Sequence, residues 1–190
     1  MTTATTRPAR RRMSLAEFMA RPEQTGQKEE LLDGFFVASP TARWGHNRIA
    51  ALLMTQLMAQ IDERGLGETC GPQTVVLGSA SAPQPDLCVI LKDRLPIIRD
   101  GYPRGAPDLV VEILSPSTRA HDLGLKKRLY ATHGARECWL VDPVARSVTR
   151  HRLRGRRYGK GVTRRRSLRL CILPAVRVDL GALWRALDAS

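Results

Sequence analysis

The run Asp108-Leu109-Val110-Val111-Glu112-Ile113-Leu114 constrains this chain more than any other stretch. It is apolar, β-branched and of strand length, with Pro107 before it and the turn Ser115-Pro116-Ser117-Thr118 after it. A run of this kind lies in the middle of a sheet, covered on both faces. An ionised carboxylate at Glu112 is costly in that position unless something compensates it. Either a nearby Arg or Lys neutralises it, or Glu112 is a metal ligand presented near a strand end.

The remaining pattern sets the class of fold. Ser14 with Glu17 three residues later is a capping box opening a short helix. Residues 29–37 read as two strands about Asp33-Gly34, a strong hairpin signal. From Arg43 to Glu63 the apolar positions Ile49, Leu52, Leu53, Leu57 and Ile61 recur at helical spacing, and Gly65 and Gly67 end that helix. Strands are expected near Thr69–Leu77, at Pro85–Leu91, at Glu137–Val141, near Ser147–Leu153 and over Leu168–Leu173. Helices are expected over 119–133, closed by Gly134, and over Leu180–Leu187, with an irregular loop at 93–106. Residues 154–167 read as an extended hairpin tip or mobile loop. Helices and strands alternate in the middle and hairpins lie at both ends. That order specifies an α/β protein with a mixed central β-sheet flanked by helices, not a doubly wound one. Residues 13–190 are long enough for a single domain with a full core, and residues 1–12 read as a disordered basic arm.

Two strands carry an acid within an apolar run, Asp86 near the start of one and Glu112 late in the other. On neighbouring strands these carboxylates can converge on one cation. Oxygen-only ligation of this kind suits Mg²⁺ or Mn²⁺, which take one or two carboxylates and keep several waters. Asp108 lies four residues from Glu112, about 13 Å along a strand, too far to share that ion, and reads as a strand-entry residue. On the following helix Asp122, Lys126 and Tyr130 stand at i, i+4 and i+8 and line one face. Lys126 there can steady charge developing on a phosphate or orient an attacking water. It can equally form only an i, i+4 pair with Asp122.

These residues, together with Glu30-Leu31-Leu32-Asp33-Gly34, His46, Pro85-Asp86, Pro107 through Ser117, Gly134 and Trp139-Leu140-Val141-Asp142-Pro143, resemble the Uma-two family of restriction endonucleases. That family belongs to the PD-(D/E)XK nuclease superfamily, and the resemblance runs in order from about residue 14 to residue 185. It implies a restriction-endonuclease-like core and Mg²⁺-dependent hydrolysis of phosphodiester bonds. It also implies that Asp86 and Glu112 are the metal-binding acids and that Glu30 is a further active-site acid. The superfamily places its lysine two residues after the second acid, where this chain has Leu114. The resemblance implies that Lys126 has taken over that role. His46 is expected at a helix start or in packing, and Trp139 in the core. His121, His133 and His151 have no spacing for joint ligation.

The net charge of +13 is concentrated in two places. Residues 1–12 hold Arg7, Arg10, Arg11 and Arg12 and no acid. Residues 150–169 hold Arg150, Arg152, Arg154, Arg156, Arg157, Lys160, Arg164, Arg165, Arg166 and Arg169, again with no acid. Setting those 14 aside leaves 17 basic residues against 18 acidic ones, a near-neutral body. Arginine clusters favour phosphate and supply the salt-sensitive part of nucleic-acid binding. The partner expected is nucleic acid, DNA ahead of RNA, with a homodimer allowed for and no membrane. Cys70, Cys88, Cys138 and Cys171 form no CxxC pair, so free thiols and a cytoplasmic location are expected. The leading function is a metal-dependent endonuclease. The competing one is a catalytically dormant nucleic-acid-binding protein of the same fold.

Overall fold

The computed structural model describes residues 11–22, 26–115, 119 and 122–188. Residues 1–10 of the basic arm, the turn residues Pro116, Ser117 and Thr118, and His121 lie outside them. Helix α1 (Leu15–Met19) opens with the expected capping box, Glu17 N–H donating to Ser14 Oγ and Ser14 N–H to Glu17 Oε2. Arg11, assigned to the arm by sequence, pairs with Glu17, and Arg12 lies over the Phe35 ring. Strands β1 (Gln27–Leu32) and β2 (Phe35–Pro40) form an antiparallel hairpin. Its turn needs positive φ at both central residues, and Asp33 and Gly34 adopt 52° and 81°. Helix α2 (Trp44–Ile61) buries Ile49, Leu53, Leu57 and Ile61, one residue per turn.

Strands β3 (Gly67–Cys70) and β4 (Leu87–Leu91) pair antiparallel. The expected strand to Leu77 stops at Cys70, because Pro72 has no N–H to extend the ladder. The loop expected at 93–106 contains a 3₁₀ turn (Lys92–Ile97) and a small hairpin of β5 (Ile98–Arg99) and β6 (Tyr102–Pro103). Strand β7 (Leu109–Ile113) lies between β4, antiparallel, and β8 (Glu137–Asp142), parallel. The crossover between β7 and β8 is a wide π turn (Asp122–Lys126) running into helix α3 (Lys127–Thr132). Strand β9 (Ser147–Arg154) extends the sheet, and β10 (Arg157–Tyr158) and β11 (Val162–Arg164) fold back on its outer edge. The arginine-rich segment is therefore a hairpin on the edge of the sheet, the first of the two forms expected of it, and not a mobile loop. Strands β12 (Ser167–Arg169) and β13 (Arg177–Asp179) form a hairpin, shorter than the expected strand over 168–173, and helix α4 (Leu180–Asp188) closes the chain.

The sheet order is β10-β9-β8-β7-β4-β3 with β11 also on β9, a mixed sheet as expected. Strand alternation sends Leu87, Val89, Leu109, Val111, Ile113, Trp139 and Val141 to the face covered by α2 and α4. It sends Val110, Cys138 and Leu140 to the opposite face, against Leu129 and Tyr130 of α3 and Leu32 of the hairpin. Each large apolar side chain buried this way stabilises the fold by about 2 kcal/mol. Residue 112 has the parity of 110, so Glu112 points toward α3 and the hairpin. No helix among the described residues is long and apolar enough to cross a membrane. All four cysteines are free, with Cys88 and Cys138 buried.

Candidate active site

The antiparallel register sets Leu87 opposite Val111, so Asp86 enters β4 beside Glu112. Asp86 N–H donates to the Val111 carbonyl at 3.1 Å, and Ile113 N–H returns a bond of 2.7 Å to Asp86 Oδ2. Asp86 and Glu112 thus lie on the same sheet face. Both line a cleft of about 440 Å³, with Lys28, Ser39, Arg43, His46, Leu114 and Val144 among its walls.

The floor is a buried ionic cluster. Lys126 is 1 % exposed, and its Nζ lies 2.6 Å from Glu112 Oε1, 2.9 Å from Glu30 Oε1 and 3.4 Å from Asp122 Oδ1. The wide turn over 122–126 delivers Lys126 and Tyr130 to the sheet, and Tyr130 Oη donates to Glu112 Oε1 at 2.6 Å. Glu30 comes from β1, and its Oε1 also accepts from Gln84 N–H at 2.7 Å. Lys28, two residues earlier on the same side of β1, donates from Nζ to Asp86 Oδ1 at 2.9 Å. His46 Nε2 stands 3.1 Å from Asp86 Oδ2. Glu112 is therefore amine-paired, the first of the two accounts open to it from sequence, and it also stands beside a second acid.

Charge and burial oppose each other here. Burial pushes the Glu112 carboxyl up to about 8, against the pull of Lys126 and Lys28. Burial also works to raise Asp86, but the His46 hydrogen bond and the Lys28 charge outweigh it and hold Asp86 well below the usual carboxylate range. Burial would likewise raise Glu30, yet Lys126 and Lys28 keep it low. Burial disfavours the Lys126 ammonium, but Glu112, Glu30 and Asp122 hold its pKa well above the ordinary value.

Four acids (Glu30, Asp86, Glu112 and Asp122) thus face two amines (Lys28 and Lys126), with the His46 ring also against Asp86. Among the described residues no three His, Cys, Asp or Glu side chains converge as an ion cage. Asp86 and Glu112 offer oxygen donors only, the kind that Mg²⁺ and Mn²⁺ accept. The open cleft beside both carboxyl groups fits a divalent cation held by Asp86 and Glu112.

Of the residues expected at the site, Glu30, Asp86, Glu112 and Lys126 are brought together. Asp108 lies apart as a strand-entry residue, fully buried and bound by Leu91 N–H, Arg94 and Arg136. Arg150, Arg152, Arg154, Arg156, Arg157, Lys160, Arg164, Arg165 and Arg166 are not at the cleft. They sit on and after β9, at least two strands from β7, about 10 Å or more across the sheet. Arg152 is in register with Glu137, and Glu137 with Leu109, the end of β7 opposite Glu112. His46 stands in the first turn of α2, as expected of it, and from there its ring also reaches Asp86, a contact that its place at a helix start does not announce. Lys28 was missed altogether, although its spacing from Glu30 on a strand was the available signal.

The sequence matches the model of the Uma2 family, described as "Putative restriction endonuclease", over residues 15–180. No curated protein matches it. Among solved structures, it is similar to a protein from Anabaena variabilis described as "a putative nuclease belonging to DUF820". The two are 18 % identical, with a TM-score of 0.80, and the match covers 92 % of this chain and 99 % of that one. A mixed sheet flanked by helices and this structural match define a restriction-endonuclease-like α/β fold. With most of its length matched by one family model, the chain belongs to the Uma2 family.

Proposed function

We propose that this protein is a divalent-cation-dependent endonuclease that hydrolyses phosphodiester bonds in nucleic acid, DNA ahead of RNA. One observation carries the reading. Two carboxylates from adjacent strands share a sheet face and a cleft, and a fully buried lysine pairs with one of them. Asp86 and Glu112 would hold Mg²⁺ or Mn²⁺, which when bound polarises a phosphoryl oxygen and eases deprotonation of water. Lys126 fixes the Glu112 carboxylate from below and keeps positive charge at the cleft floor, where charge develops on phosphate. Glu30, Asp122 and Tyr130 hold Lys126 and Glu112 in place. His46 and Ile113 N–H orient Asp86. The preference for DNA rests on the family's description.

Plasmid and oligonucleotide cleavage with Mg²⁺ or Mn²⁺ tests this reading. Cleavage is expected to vanish with chelator and in Asp86→Asn and Glu112→Gln, with circular dichroism unchanged. Cleavage surviving both substitutions would refute the site.

A second reading, a dormant nucleic-acid-binding protein, is favoured by two particulars. Both Asp86 oxygens already have donors in Lys28, His46 and Ile113 N–H, and the arginines lie away from the cleft. It requires salt-sensitive binding that ignores Mg²⁺ and Asp86→Asn.

A further inference from the structure

The two lysines of the cluster are held very differently. Lys126 is enclosed by three carboxylates and could leave only by stranding all three. Lys28 meets one carboxylate, Asp86, through a single 2.9 Å contact. Its side chain is 18 % exposed and forms part of the cleft wall, as does Ser39, its cross-strand partner. Asp86 does not depend on Lys28 for its orientation, since Oδ2 is held by His46 Nε2 and by Ile113 N–H. The bond from Lys28 therefore falls on Oδ1, the oxygen of Asp86 that those two donors leave open.

We propose that Lys28 is an exchangeable cation: its ammonium occupies Asp86 Oδ1 until a divalent cation binds, and then moves to a phosphate oxygen of the nucleic acid. The inference rests on the metal site proposed above and adds a substrate-binding residue to it. An ammonium and a divalent cation on one carboxylate oxygen repel strongly at such short range in a half-buried cleft. The four-carbon stem gives the amine room to swing while β1 stays paired, and an ammonium makes a compact, rotatable phosphate contact. Lys28 thus opposes cation binding and favours substrate binding, two signs that a purely structural lysine does not combine.

The test is Mn²⁺ binding to the full chain, followed by calorimetry and by the electron paramagnetic resonance signal of free Mn²⁺. Wild type is compared with Lys28→Met, and with Lys28→Gln should the methionine variant fail to fold. Mn²⁺ affinity is expected to rise about tenfold when the ammonium is removed, a change of about 1.4 kcal/mol. A labelled oligonucleotide, measured by anisotropy in Ca²⁺ or in chelator, is expected to bind the variant more weakly in Ca²⁺ alone. Unchanged or weaker Mn²⁺ binding overturns the exchange, and unchanged oligonucleotide affinity in Ca²⁺ overturns the transfer to phosphate. If neither wild type nor variant binds Mn²⁺, the metal site itself fails. Wild-type binding without tightening in the variant removes only the inference about Lys28.

Discussion

Replacing Lys126 with methionine keeps the length of the side chain and removes the charge that three buried carboxylates share. Taking one partner from a buried ion pair costs about 3–5 kcal/mol, because the remaining charge has no solvent to turn to. Lys126 is 1 % exposed and Glu112 1 %, so no screening discount applies. The loss should also depend on pH, with a sign fixed by the shifts. Glu112 is pushed up to about 8 when folded, so between its ordinary value and 8 the folded state binds more protons than the unfolded. Stability therefore falls with rising pH across that window even in the wild type. Without Lys126 the Glu30 carboxyl loses its largest lowering influence, so burial pulls it upward against Lys28 and the Gln84 N–H alone. A second raised carboxylate steepens the fall by about 1.4 kcal/mol per pH unit. The gap between wild type and variant should widen from pH 5.5 to pH 7.5, by at most about 3 kcal/mol for one added proton. Urea unfolding at the two pH values, with unchanged m, measures it. A gap under about 1 kcal/mol at pH 7.5, or one independent of pH, would refute the buried-cluster reasoning.

Three further outcomes are expected. Cation binding near neutral pH must displace a proton from Glu112, so Mn²⁺ affinity should rise by about tenfold per pH unit and level off above 8; calorimetric heats that do not differ between two buffers would contradict this. Asp108→Asn should cost about 2 kcal/mol, weakening the bonds to Arg94, Arg136 and Leu91 N–H, while cleavage per folded molecule stays at the wild-type level; a specific loss of cleavage would move Asp108 into the site. If Arg154, Arg156 and Arg157 each meet a phosphate, converting all three to glutamine should flatten the slope of log affinity on log salt by about 2–3 for duplex DNA. An unchanged slope would take that edge of the sheet out of the interface.

What the sequence disclosed, it disclosed through local rules. The β-branched runs at 87–91 and 109–113 are both five-residue buried strands, and Asp33-Gly34 adopts the positive φ that its hairpin demands. The i, i+4, i+8 spacing of Asp122, Lys126 and Tyr130 identified their shared direction despite the π turn, which no local signal announces. What stayed hidden depends on pairing between distant segments. His46 meets an acid 40 positions away and Lys28 one 58 positions away, and neither contact leaves a mark on its own neighbourhood. The same holds for the arginines. Charge counts how many there are, but the strand order decides how far they stand from the cleft.

The charged groups of the site come from β1, α2, β4, β7 and the turn into α3, between positions 28 and 126. A ribosome-held or clipped chain ending before that last segment would expose three acids with no inner amine to gather them. On the proposed reading, the site is assembled only once the turn that carries Lys126 has joined the sheet.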